Sequence, residues 1–490
     1  MNKDYILLAF TIIGTLVFNF LFWQEKLGIN VLLFDLLMCL MIFKLRPNVL
    51  SRKGIVMTGG CTLILALCIM INNSNLSKII HSVSFCGFLG FVHFKELTFI
   101  GDAIVLGAST LFEAPMKAIR NSARKTIGTK NTVSILKWFK LGLIPFFMVS
   151  IFYAIYSSAS PKFTSLASEA WKYVSELLIP TISITHLLFF IVGFLIVCGV
   201  LLPSYSFGNY TKSTPLENLD RNRIRSAKLE PSKKNLSLKS EYRIAWLVII
   251  SLNLLLFLVN LIDVRYVWFD RQSVTPAELS NYVHEGTYLL IVAILLAMAV
   301  VLYYFRRNLN FYPKNQNLIW CTYLRIGQNV VLTISVAVRN VQYVEYYGLA
   351  YKRLGVFMFL ILVLIGLVTM YLKVKEKKSL YYLINRNVWA AYFAFVMVAL
   401  INWDVVITKY NITAHTQAKI DVSYLMKGLS DKNIYLLINH KSDLINSLGN
   451  NGYYETLLDA KLSNFRIDQD KLTWRSWNYC DYRNKKIVLK

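Results

Sequence analysis

The sequence predicts an all-α, polytopic membrane protein, and three observations predict it. Of the 490 residues, 56% are hydrophobic and only 16% are charged, whereas soluble domains carry roughly 25% charged residues. The charge is confined to short intervals between long apolar runs, and a helix needs roughly 20 apolar residues to cross the hydrocarbon core. Lys and Arg crowd into a few of those intervals, as they do in loops retained on the cytoplasmic side. The net charge of +26 is therefore read as loop charge, and nucleic acid is not expected as a partner.

Apolar runs lie at about 5–23, 28–44, 55–72, 76–93, 135–157, 180–202, 244–264, 283–305, 317–341, 353–372 and 388–407, which predicts about 11 transmembrane helices. The first run ends in "FNFLFWQEK" without a small-residue cleavage site, so it is expected to be a retained helix. The stretch 98–114 is short and carries Asp102 and Glu113; it is expected to be re-entrant or interfacial. Residues 162–178, after Pro161, alternate at helical spacing and are expected to lie on the outer surface.

Orientation follows from the basic intervals. These are Lys44 to Lys53, 117–140, the long loop 203–241, and Lys373, Lys375, Lys377 and Lys378. With eleven crossings all four fall on one side, the cytoplasmic one by the positive-inside rule. The N-terminus is then inside and the tail from Tyr410 to Lys490 outside. Three units result: an N-terminal bundle at 1–134, a transmembrane core at 135–409 and a helical tail at 410–490. The tail ends in "TWRSWNYCDYRNKKIVLK". That mixture suits headgroup anchoring through Trp474 and Trp477 and equally suits packing onto the tail's own helices.

Polar residues inside spans are costly and face protein or a wet cavity. In 317–341, Arg325, Gln328, Asn329, Ser335, Arg339 and then Tyr343 fall within an arc of about 120°, and Arg325 to Arg339 covers about 21 Å of axis. In 244–264, Asn253, Asn260 and Asp263 share an arc of about 80°. The topology places Asp263, Arg265, His284, Glu285, Arg339, Glu345, Asp404 and His186 near one membrane edge. Such a gathering reads either as a polar vestibule or as an ion-pair girdle that fixes helix ends; for the neutral residues, interhelical bonding is the simpler account. Asp35, in the second span, pairs with an arginine elsewhere or is protonated.

Sharper motifs are not met. His284-Glu285 resembles the start of a zinc-protease signature, but Tyr288 stands where the second histidine should be. No metal or cofactor is expected. The seven cysteines contain no C-x-x-C, so no redox pair is indicated. The first outer loop, "WQEKLGIN", is too short for a multi-span glycosyltransferase.

A set of segments occurs in order: "WFKLGLIPFFMVSIFYAIYSSASPKF", "EYRIAWLVIISLNLLLFLVNLIDVRYVW", "YVHEGTYLL", "RNVQYVEYYGLAYKRL", "INWDVVITKYNI" and "WRSWN". Together they resemble the bacterial integral-membrane family called domain of unknown function 4173, with its sister 4153, over roughly 135–480. The resemblance implies a multi-span bacterial membrane protein and no established activity. It implies recurrent polar positions at His284, Glu285, Arg339, Tyr343, Tyr347, Gly348, Asn402 and Asp404. Ser160 stands where the family pattern has Asp, and Ala350 where Thr is typical.

The leading expectation is an inner-membrane transporter-like or sensor protein for a small anionic or lipid-linked ligand. Its candidate ligand-binding residues are His284, Glu285, Asp263, Arg325, Arg339, Tyr343 and Asp404. The alternatives are an enzyme acting on an envelope lipid or glycan, with His284 and Glu285 as acid-base partners, and a structural scaffold.

Overall fold

Backbone in hydrocarbon must satisfy its own N–H and C=O groups, so the apolar runs fold as helices. The computed structural model describes residues 3–127, 148–149, 152–153, 156–157, 160, 162–169, 184–202, 217–219, 238–269, 287–306, 308–414, 420–448 and 451–488. Among them there is no β-strand, only an isolated bridge between Asn218 and Lys378.

The N-terminal helices are α1 (Lys3–Phe22), α2 (Ile29–Leu45), α3 (Lys53–Asn72), α4 (Asn75–His93), α5 (Ile100–Ile127) and α6 (Ile184–Leu201). They are followed by α7 (Leu238–Asp263), α8 (Thr287–Tyr304), α9 (Gln316–Tyr347), α10 (Tyr351–Lys375), α11 (Leu380–Ala399) and α12 (Trp403–Thr413). The tail adds α13 (Ile434–Asn439), α14 (Lys441–Leu448), α15 (Asn451–Asp470) and α16 (Tyr479–Val488). Serine side chains start two spans: Ser74 accepts from Ser77 N at α4, and Ser379 from Tyr382 N at α11.

Among the described residues six helices are long and apolar enough to cross a membrane, or seven if α11 and α12, bent by 63°, form one span. The expected count of eleven is not confirmed by these residues. The runs at 28–44, 180–202 and 283–305 correspond to the shorter helices α2, α6 and α8. The run at 135–157 lies mostly outside the described residues. The run at 388–407 is one straight span only in sequence, because Leu400 to Asn402 break it and the Asn402 side chain caps α12.

The segment 98–114 is the front of a 28-residue helix, α5. Its backbone meets that of α4 directly. A Cβ at Gly90 would lie 1.9 Å from Ala103 O, and one at Gly107 1.8 Å from Cys86 O. Small residues at both positions are what allow two membrane helices to touch along their backbones. Of the expected surface helix at 162–178, residues 162–169 are described, and they are helical and mainly exposed.

Among the described residues three large apolar cores organise the molecule, with a small fourth at Val31, Ala66 and Ile69. One joins α1–α6 through Met38, Leu65, Phe88, Leu89 and Val197. Another joins α7–α10 through Ala245, Ile294, Phe305, Leu318 and Leu367. Helix α11 serves both, with Leu383 in the second and Tyr392, Val396 and Ala399 in the first. The third core places the tail on the α9–α10 turn and on α12, with Val344, Leu349, Ile407, Leu425 and Tyr454.

The connections sort to two ends. At one, Asn72 Nδ2 donates to Leu400 O (2.7 Å) and Ile29 N to Trp477 O (3.0 Å). At the other, Arg46 reaches Val92 O and Leu201 O, each at 3.3 Å, and Lys373 Nζ reaches Phe305 O (2.9 Å). The tail, the short α1–α2 loop and the α9–α10 turn thus share one end, and the basic connections after α2 and α10 share the other.

Candidate functional site

The polar stripe of α9 faces α7. Asn253 Nδ2 donates to Cys321 O at 2.8 Å, and Asn260 Nδ2 donates to Gln328 O at 3.0 Å. Donors and acceptors both advance by seven residues, so the two parallel helices meet along a heptad-spaced seam. Arg325 extends the seam by donating to Leu252 O. Where α7 widens into a π-helical turn, Val264–Phe269, Trp268 Nε1 donates to Ser335 Oγ (2.9 Å) and Gln342 Nε2 to Val267 O (3.0 Å). The seam ends in an ion pair, Arg339 Nη2 to Asp263 Oδ1 at 2.5 Å, both side chains 7% exposed or less. A charge pair buried this far from water is held by geometry, since desolvation offsets much of its attraction.

Beyond the pair, Tyr343 lies beneath the Arg353 guanidinium, 4.4 Å from ring centroid to the cation, and 4.8 Å from the Tyr347 ring. Arg353 also donates to Tyr347 O (3.1 Å) and to Gly348 O. It thereby closes the carboxyl end of α9, where a cation is favoured. Gly348 sits at φ +82°, and a Cβ there would be 2.7 Å from Asn411 Oδ1. Asn411 uses that oxygen to accept from Leu349 N (2.6 Å) while its amide donates to Leu349 O (2.9 Å).

This locked turn forms one wall of a cavity of about 440 Å³, within the roughly 300–1,000 Å³ range of small-molecule sites. Tyr347, Tyr351, Lys352 and Arg353 line one side, and Asp421, Tyr424 and Gly428 of the tail line the other. Tyr351 N donates to the Tyr424 hydroxyl at 3.2 Å across the rim. Asp421 is turned toward its own backbone, accepting from Tyr424 N at 2.9 Å. Arg353 is committed to the turn, whereas no described residue pairs with the Lys352 ammonium.

The tail segment bearing Tyr424 is a π-helical turn, Tyr424–Gly428. The buried Lys461 of α15 holds it, its ammonium donating to Leu425 O, Met426 O and Leu429 O at 3.4, 3.0 and 3.1 Å. Burial drives the Lys461 amine down to about 8, although Asp431 and Asp404 nearby act in the opposite sense.

The structure sorts the candidate residues into separate settings. Asp263 and Arg339 form the ion pair, Arg325 lies farther along the same seam, and Tyr343 stacks at its upper end. Asp404 is buried in the first turn of α12, bonded to the Tyr351 hydroxyl (2.8 Å) and to Ser430 Oγ, so it fastens α10 and the tail. His284 and Glu285 lie outside the described residues. Asp35 meets His81 Nε2 at 2.6 Å, so its partner is a histidine and not the arginine expected as one alternative. Among the described residues no three of His, Cys, Asp and Glu converge as a metal site.

Of the cavity residues, Tyr347 and Gly348 are positions the resemblance implies, whereas Tyr351, Lys352, Asp421 and Tyr424 were not foreseen. A signal was present in "YGLAYKRL": two cations in the first turn of a helix oppose its dipole, so they need another partner.

Helices of this length and apolarity, with polar residues turned onto one another, define an all-α, multi-pass membrane protein. The chain belongs to the family described as Domain of unknown function (DUF4153), whose model matches residues 32–440. The match is to the sister of the family expected first, and it takes in the N-terminal helices from α2 onward. No curated protein and no solved structure matches the chain.

Proposed function

We propose that this protein binds a small anionic ligand at the tail-covered end of its membrane bundle and acts as a sensor. The cavity at the α9–α10 turn carries the proposal: Tyr347, Tyr351 and Tyr424 line it together with Lys352, and one wall belongs to the tail. Aromatic faces with a cation suit a carboxylate, a phosphate or a sugar phosphate. A wall contributed by the tail would let occupancy alter how the tail sits, which is what sensing requires. Transport is the weaker form of this reading, because the polar stripe that would line a path through the bundle is bonded to α7. The proposal includes a bacterial inner-membrane location with the N-terminus cytoplasmic and the tail outside; the grouping of the basic connections at the opposite end supports it.

Purified protein should show a ligand-induced thermal shift with at least one member of a panel of phosphate, short carboxylates and sugar phosphates. Lys352→Gln should weaken that binding about tenfold, the loss of one charge-assisted contact worth roughly 1.5 kcal/mol. A flat response across the panel removes the support for a ligand.

A scaffold role is the second reading, favoured by the α7–α9 seam with its terminal ion pair. It leaves the cavity unexplained, and substitutions along the seam would then alter folding alone.

A further inference from the structure

The last helix of the tail is inverted relative to a water-soluble one. On α16, Cys480, Asp481 and Asn484 are buried, while Tyr479 and Tyr482 are 47% and 54% exposed. Both buried polar side chains bond within the tail. Asp481 takes Lys432 Nζ at 2.5 Å and Asn478 Nδ2 at 2.7 Å, and Asn484 Nδ2 donates to Asp431 O at 2.7 Å. Lys485 and Lys486 continue the exposed aromatic face, and Trp474 and Trp477, just before the helix, are 59% and 40% exposed. Buried polar groups and exposed aromatics are the informative departures from ordinary surface composition.

The depth of this face is set by covalent and hydrogen-bonded neighbours. The Trp474 ring lies 6.5 Å from that of Phe20, an exposed residue in the last turn of the spanning helix α1. Arg475 donates to Phe20 O and pairs with Glu25 at 2.7 Å. Ser476 and Thr473 bind the same carboxylate, and the Trp477 carbonyl accepts from Ile29 N, the first residue of α2. These contacts hold the segment at the end of two membrane helices, continuous with their lipid-facing surface.

We infer that the aromatic and basic face of Trp474–Lys486 is seated in the lipid headgroup layer, its occupant being the anionic bilayer surface that surrounds α1 and α2. Tyr and Trp prefer that layer because one part of the ring system is apolar and the other bonds water or headgroup. Lys485 and Lys486 add attraction to anionic lipid. The tail is thereby an interfacial module, held to the bilayer independently of any ligand in the cavity.

The full-length protein in nanodiscs tests this with nitroxide labels placed by Trp474→Cys and Tyr482→Cys, and by Glu455→Cys as an exposed control on α15. At the first two positions a several-fold preference for oxygen over a water-soluble nickel chelate is expected, with the reverse at Glu455. Equal chelate access at all three positions would overturn the inference and leave the face open to water or to a soluble partner. Lys485→Glu with Lys486→Glu should raise chelate access at Tyr482→Cys in anionic discs and leave it unchanged in zwitterionic ones. A change of the same size in both lipids would show that the charges act on the tail's fold and would remove the anionic-lipid assignment.

Discussion

Asp263, Asn253 and Asn260 show how one polar pattern carries different energies. The two asparagines each give a single hydrogen bond to a backbone carbonyl of α9, and such interhelical bonds contribute about 0.6–2 kcal/mol. Asp263 faces a buried guanidinium, and breaking a buried ion pair from one side costs about 3–5 kcal/mol. Asn260→Leu should therefore lower stability slightly in a detergent unfolding titration, and Asp263→Ala several times more. Equal effects would contradict the assignment of the pair as the anchor of the seam. The periodicity of the sequence already showed that these residues share a face. It could not say that the face meets α7, because a helical arc specifies direction and carries no information about the neighbour.

At the scale of elements, the π-helical turn Tyr424–Gly428 is held by Lys461 rather than by its own continuation. Burial lowers the folded amine to about 8, below the value of about 10.4 usual in an unfolded chain. Between those values the unfolded state binds more protons, so the tail gains stability as pH rises from about 8 toward 10. Tyr454 works the other way at higher pH. Burial raises its hydroxyl to about 12, so the unfolded chain ionises first and stability falls above about 10. Thermal melts of the full protein should thus show the tail transition moving upward from pH 8 to 10, and Lys461→Met should abolish that rise. A rise that persists in the variant would assign it to another group. The helical character of the tail was legible in the sequence, but the lysine that caps the turn was not. It comes from about 35 residues away, a separation that no local pattern encodes.

For the whole molecule, the decisive arrangement is which connections share an end. Trp477 meeting Ile29 and Lys26 N donating to Ser476 Oγ at 2.8 Å bring the tail to the α1–α2 loop, and Asn72 reaching Leu400 brings the α11–α12 break to the α3–α4 loop at the same end. The alternation of basic intervals predicts this same grouping, since each crossing reverses the chain. If the tail is outside, a membrane-impermeant thiol reagent should label Glu455→Cys in intact cells and spare Lys53→Cys. The opposite labelling pattern would invert the orientation and move the cavity to the cytoplasmic face. The expected count of crossings is confirmed only in part, since six helices among the described residues, or seven with the bent pair α11 and α12, have the length and apolarity of a span.

By itself the sequence determined the membrane class, the helical period and the polar faces, because hydrocarbon forces internal hydrogen bonding and penalises exposed charge. Tertiary structure alone decided that the α9 stripe closes onto α7, that Asp404 serves the tail and that a cavity opens at Gly348. Those outcomes depend on which helices become neighbours. That choice is made by packing of small residues and matched donors between segments far apart in the chain.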